Sequence, residues 1–138
     1  MNIAAYQQPL PADLTLAVYN DDVMIFSSRG KWLHPLFDLE CFLLTYAGSV
    51  NNLSVHDKVI GKAAAVLIAR LGVKHIHTEL VSFLALDYLN QRHIPITYTG
   101  KVDRILCATE KILADETDSD HMYDLLRQRL EQTGKGTN

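Results

Sequence analysis

Two lysines four residues apart, Lys58 and Lys62, are the first residues in this sequence whose type and spacing could do chemistry. The pattern around them predicts a helix over residues 55–71, with Ser54 as its N-cap. Residues four apart share one face of a helix, and two cations near a helix N-terminus would attract a phosphate or carboxylate. The alternative is a solvated lysine face. Lys62 lies in the least polar part of the predicted helix, so it either extends outward to solvent or points into a pocket.

The residues just before these lysines bear on zinc chemistry. Zinc-dependent base deaminases use H-x-E, in which the histidine binds the metal and the glutamate moves protons, followed by P-C-x-x-C. Here His56 is followed by Asp57 and Lys58, so a lysine occupies the glutamate position, and no P-C-x-x-C is present. The sequence therefore argues against a zinc deaminase, and we interpret His56 as an exposed residue in the first helical turn.

A predicted strand over residues 73–80 carries a second possible metal site. His75, His77 and Glu79 alternate along it, so their side chains share one face of the strand. Two imidazoles and a carboxylate can chelate a metal ion. No other element supplies an obvious further ligand, so we interpret the three residues as the less buried face of the strand. We expect no metal and no cofactor.

Two junctions between elements hold the remaining candidates. Glu79 and Ser82 lie at the end of a strand, where ligands gather in open α/β sheets, although Ser82 could equally be a plain N-cap. Cys107 could be a nucleophile, but a thiol needs an activating neighbour. Glu110 would raise the pKa of the thiol instead, so a small buried hydrophobe is the alternative interpretation of Cys107.

The elements that must position these residues alternate between strands and helices. Residues 14–20 and 23–28 predict a hairpin joined by Asn20-Asp21-Asp22, because Asn and Asp favour turns. The pattern over residues 104–114 does not decide between a strand and a helix. The other predicted elements are helices over 32–46, 82–92 and 118–132, and a strand over 94–99 that Gly100 ends. This order predicts a three-layer α/β/α domain with a mixed sheet.

The length of 138 residues predicts one domain over residues 14–132, with a flexible lead-in over 1–13 and a disordered tail over 133–138. The net charge of -3 argues against a nucleic-acid partner. No apolar run reaches the roughly 20 residues of a membrane span, so we expect no membrane partner. Two cysteines and the lack of a signal-peptide pattern predict a cytoplasmic location.

The motif D-K-V-I-G-K-A-A-A at residues 57–65 resembles a small prokaryotic family of unknown function with a cytidine deaminase-like fold. The resemblance covers about residues 14–130 and implies a five-stranded mixed sheet with flanking helices. The predicted long helix would replace the zinc helix of the deaminases. The shortened loop over 101–104, and Ala108 in place of a proline, depart from the family pattern near Cys107. The resemblance implies a metal-free pocket formed by Asp57, Lys58, Lys62, Glu79, Ser82, Cys107 and Glu110.

Three functions follow as hypotheses. The first is a domain that binds a small anionic or nucleotide-like metabolite through Lys58 and Lys62. The second is a metal-independent enzyme that uses Lys62 or Cys107 as a nucleophile, or Lys58 with Asp57 in proton transfer. The third is an interaction subunit, which the C-terminal helix with Arg127 would serve. By analogy with such folds we also expect a homodimer.

Overall fold

A five-stranded mixed sheet with four helices forms the described part of the chain, which comprises residues 4–103, 105, 113, 116 and 118–136 of a computed structural model. The predicted α/β class and five-stranded mixed sheet are confirmed. The strands are β1 (Leu16–Asn20), β2 (Val23–Ser28), β3 (Leu53–Ile60), β4 (His75–Ser82) and β5 (Ile96–Val102). The helices are α1 (His34–Leu44), α2 (Lys62–Leu71), α3 (Phe83–Gln91) and α4 (Ser119–Gly136).

The sheet has the strand order β2-β1-β3-β4-β5, with an antiparallel part and a parallel part. β1 pairs antiparallel with both β2 and β3, whereas β3, β4 and β5 run parallel. The predicted hairpin is confirmed, and Asp21 in its turn adopts a φ of 54°, in the left-handed region that Asp tolerates. Parallel neighbours require crossover connections, which α2 and α3 supply.

The predicted helix over residues 55–71 is wrong in its first half, which forms strand β3. Val55, Val59 and Ile60 are β-branched, and β3 pairs along both edges with β1 and β4. This pairing overrides the local capping signal at Ser54. Consequently Lys58 lies on a strand and does not share a helical face with Lys62. The predicted stop at Gly72 is confirmed, since this residue is the C-cap of α2 with a φ of 80°.

Two further boundaries differ from the predictions. Gly100 does not end the fifth strand but pairs with Leu80 within the parallel ladder, and β5 continues to Val102. The last helix extends to Gly136 rather than ending at 132. The predictions for 104–114 fall largely outside the described residues, and those for Cys107 and Glu110 fall wholly outside them. The domain limits predicted at 14 and 132 stay predictions.

The two faces of the sheet carry different side chains, because strand residues alternate between faces. One face supplies Leu16, Val18, Val55 and Ile76 to the hydrophobic core beneath the helices. Helix α4 joins this core through two buried side chains, Met122 and Leu126. The opposite face, here called the histidine face, carries Tyr19, His56, His75, His77 and Thr97.

Among the helices of the described residues, none combines the length and the apolar character needed to cross a membrane.

Candidate functional site

A pocket of about 360 Å³ opens where β3 ends and α2 begins. The carboxyl ends of parallel strands are where open α/β sheets bind their ligands, so the position suits a binding site. Four parts of the chain and Ile105 form its wall. The lining residues are Thr15, Gly30, Lys31, Trp32, Leu33, Pro35, Asp57, Lys58, Val59, Gly61, Ala63, Ala64 and Ile105.

The first turn of α2 presents its main chain to this pocket. Gly61 is the N-cap, and no side chain caps the helix there. The first N–H groups of a helix have no acceptor within the helix, and the helix dipole adds partial positive charge at this end. Ala63 and Ala64 have little side-chain bulk, so a ligand can approach the backbone closely. The pocket therefore offers hydrogen-bond donors to an anionic group.

Asp57 supplies a carboxyl group to the same wall. It lies in the second half of β3, shortly before α2. The residue is half-buried, and burial raises the pKa of its carboxyl to about 8. The main-chain groups of Val59 and Lys58 hydrogen-bond to it and oppose this rise. At neutral pH the carboxyl is therefore mostly protonated, so it donates a proton to hydrogen bonds and does not repel an anion.

Trp32 is the single tryptophan of the chain and borders the pocket between β2 and α1. Its backbone has a φ of 58°, a left-handed conformation that is unusual for a bulky residue and strains the chain. Its ring meets the ring of His34 edge-on at 5.5 Å, and 36% of the residue is exposed. An aromatic ring and an exposed cation, Lys31, thus border one pocket, whereas Lys58 follows Asp57 on β3 and its side chain lies on the histidine face.

Of the residues predicted for the site, the structure brings only Asp57 and Lys58 into the wall among those it describes. Lys62 is buried, and its Nζ donates a hydrogen bond to the main-chain oxygen of Glu116 at 2.7 Å. Ser82 caps α3 by accepting a hydrogen bond from the N–H of Ala85 at 3.1 Å. The alternative interpretation of Ser82 as an N-cap is thereby confirmed.

Two other residues considered from the sequence, Glu79 and His56, lie on the histidine face. Glu79 is exposed there, away from the pocket. The prediction of an exposed His56 is wrong, because the residue is 1% exposed and its ring meets that of His77 edge-on at 4.8 Å. Within the residues that the structure describes, no three His, Cys, Asp or Glu side chains are placed to hold a metal ion together.

Sequence reasoning missed Trp32, Lys31 and Thr15. A signal was present, since a glycine, a cation and the only tryptophan follow one another at residues 30–32 after a strand. Their approach to Asp57 depends on the order of strands in the sheet. The pairing of β1 with β3 brings Thr15 beside Lys58, whose N–H donates to the Thr15 carbonyl oxygen at 3.0 Å.

Comparisons with known proteins identify a family and a similar solved structure. The model of a family described as "Domain of unknown function (DUF1893)" matches residues 10–130. The fold is similar to the crystal structure of a DUF1893 family protein from Thermotoga maritima, with a TM-score of 0.76 and 26% sequence identity. That similarity covers 85% of this chain and 81% of the other. Among curated proteins there is no match.

Proposed function

The chain belongs to the DUF1893 family, whose function is unknown, and from that premise we propose that it binds a small metabolite with a flat ring and an anionic group. One observation carries the proposal. Trp32, Lys31 and the start of α2, where no described side chain caps the helix, border a single pocket of about 360 Å³. The volume falls at the lower end of the range typical of small-molecule sites, roughly 300–1,000 Å³.

The electrostatics of the wall favour an anion. Lys31 carries positive charge, and the N-terminus of α2 adds its partial positive charge. Asp57 is the only acidic residue among the described lining residues, and its raised pKa keeps it mostly neutral near pH 7. A phosphate or carboxylate at this end of the pocket would therefore meet donors rather than a competing negative charge.

The rest of the wall favours a flat, partly apolar body. Leu33, Pro35, Val59 and Ile105 are apolar, and the Trp32 ring can stack on a planar ligand. A protonated Asp57 can donate to a ring nitrogen or a carbonyl oxygen. These features together support a nucleotide-like ligand over a bare inorganic anion, which would use only the charged end.

Fluorescence of the single tryptophan gives a direct test. We expect a nucleoside monophosphate to quench Trp32 saturably, whereas inorganic phosphate binds more weakly and a nucleoside lacks the charged contact. Lys31→Gln should weaken binding about tenfold, the effect of losing one charge-assisted contact of about 1.4 kcal/mol. Lys74→Gln, which changes an exposed lysine away from the pocket, is the matched control. Unchanged fluorescence with all three ligand classes would reject the proposal.

A second candidate function, a metal-independent enzyme, is favoured by the state of Asp57. A carboxyl with a pKa of about 8 in a pocket is suited to hold and release a proton near neutral pH. Asp57 would act as the acid and base, and Lys31 would stabilise negative charge on the substrate. Ligand conversion that is lost in Asp57→Asn, while Trp32 quenching persists, would separate catalysis from binding.

Three broader expectations stay proposals alongside these functions. We propose that the domain is a metal-free relative of the cytidine deaminase-like fold, which the D-K-V-I-G-K-A-A-A motif supports. A cytoplasmic location and a homodimer are proposed on the cysteine content and on analogy with such folds. The interaction-subunit hypothesis drew on the C-terminal helix, but α4 buries Met122 and Leu126 in the core of its own chain.

A further inference from the structure

A short segment at the start of the chain covers the histidine face of the sheet. This segment, residues 4–8, is here called the N-terminal strap, and its centre forms a single helical turn, Ala5–Gln7. It packs against β1, β3 and β4. The strap precedes residues 10–130, which match the family model, so it lies outside the shared domain.

The strap contacts one histidine of the sheet directly and is linked to a second histidine through a threonine hydroxyl. The Tyr6 ring stacks on the His75 ring, with centroids 5.7 Å apart and planes 6° from parallel. Gln7 Nε2 donates to the hydroxyl of Thr97 at 3.4 Å, and that hydroxyl also bonds to Nδ1 of His77 at 2.6 Å. The strap is therefore held by one histidine ring and by a threonine hydroxyl that is bonded to a second histidine.

His56 is the most buried of the three histidines beneath the strap, and its ring nitrogens lack normal hydrogen bonds among the described residues. It is 1% exposed, and neither ring nitrogen has a hydrogen-bond partner of normal geometry within the described residues. A buried polar atom without a partner requires an explanation, and a positive charge there would be costly. The His77 ring lies 4.8 Å away, so two protonated rings would also repel each other.

We propose that the N-terminal strap is an acid-released cover, which protonation of His56 and His77 detaches from the histidine face. Detachment gives both imidazoles access to water, where the charged form is stable. It also uncovers Tyr19 and His75, so that the polar face becomes available at low pH.

The neighbouring charges determine the sign of the effect. Burial lowers the pKa of both His56 and His77, and their mutual proximity lowers that of His56 further. Glu79 and the main chain of Tyr6 and Gln8 offset part of this for His56. The closed form thus binds protons less readily than the open form, and acid favours opening. Among the described residues, the titratable groups that share this face with His56 and His77 are Tyr6 of the strap, Tyr19 of β1, Lys58 of β3, His75 and Glu79 of β4, and Lys101 of β5.

Hydroxyl-radical footprinting of Tyr6, read by mass spectrometry of the whole chain after digestion, tests the proposal. A histidine that is free in the open form raises the opening constant about tenfold between about pH 7.5 and about pH 5.5. Labelling of Tyr6 should rise accordingly, while Tyr46, which lies at the far end of α1, stays unchanged. His56→Gln should reduce the rise, and His93→Asn, at an exposed histidine in a loop, should leave it intact.

Several outcomes would overturn the proposal. Constant labelling of Tyr6 in the unaltered chain would show that acid does not open the strap. An equal rise at Tyr46 would mean that the whole domain unfolds. If circular dichroism shows that His56→Gln does not fold, His77→Asn carries the test. An undiminished rise in that variant would then assign the opening to other groups.

Discussion

Replacement of Asp57 by asparagine should change how stability depends on pH. The carboxyl has a pKa of about 8 in the folded chain and 3.8 as its ordinary value. Between these values the folded state holds a proton that the unfolded state has lost. Stability therefore falls as the pH rises through this window, and the loss is complete above the folded pKa.

The magnitude follows from the difference between the two pKa values. Each pKa unit corresponds to ~1.4 kcal/mol, which sets a ceiling of ~6 kcal/mol for a carboxyl in a dry site. Asp57 is only partly exposed at the wall of the pocket, so we expect most of this ceiling, ~4–6 kcal/mol. Asparagine has nearly the same shape, and its amide oxygen can accept from the main-chain N–H groups of Lys58 and Val59.

Urea denaturation of the two proteins between about pH 4 and about pH 9 measures the effect. The difference in free energy of unfolding, Asp57→Asn minus the unaltered chain, should grow from near zero in acid to ~4–6 kcal/mol in base. The difference removes contributions from His56 and His77, which titrate in both proteins. Asp22→Asn, in the exposed turn of the hairpin, is the matched control. A difference that does not vary with pH would refute the assignment of a raised pKa to Asp57.

Two further changes test how helices end and begin. Gly72→Ala should destabilise the domain by ~1 kcal/mol, because the φ of 80° disfavours a side chain while no atom lies within 4 Å of the added Cβ. Thermal unfolding would show the loss, and an unchanged midpoint would contradict it. Ser82→Ala should cost ~1–2 kcal/mol, because it leaves the N–H of Ala85 without its cap at a fully buried position. Chemical denaturation measures this cost, Ser82→Thr should retain most of the stability, and equal loss in both variants would contradict a capping role.

The elements that sequence patterns predicted well have strong local signals. The hairpin has turn residues between two apolar runs, and α3 has both a capping serine and an apolar stripe. Strand β3 was missed because Ser54 and Asp57 imitate a capping box, and the alanines of α2 extend the helical pattern toward them. Pairing with β1 and β4 decides the conformation, and such tertiary contacts leave no mark in a local window.

The site was predictable only in part for a related reason. Asp57 and Lys58 lie within the D-K-V-I-G-K-A-A-A motif, which the sequence analysis identified. Trp32 lies far from that motif in the sequence, between β2 and α1, and borders the pocket only in the folded chain. The sequence left open whether Lys62 extends outward or points inward, and its hydrogen bond to the main chain of Glu116 spans 54 positions in the sequence. A local pattern contains no information on such a partner.

The pairing of β1 with β3 has a consequence for cooperativity. The β1–β2 hairpin can form from neighbouring residues, and β3, β4 and β5 form a second unit with α2 and α3. The two units join in the sheet along this one antiparallel ladder, and the pocket lies at its end, with Thr15 on one side and Lys58 on the other. A ligand bound there would link two halves that could otherwise open separately, so that partial unfolding would be suppressed before global stability rises.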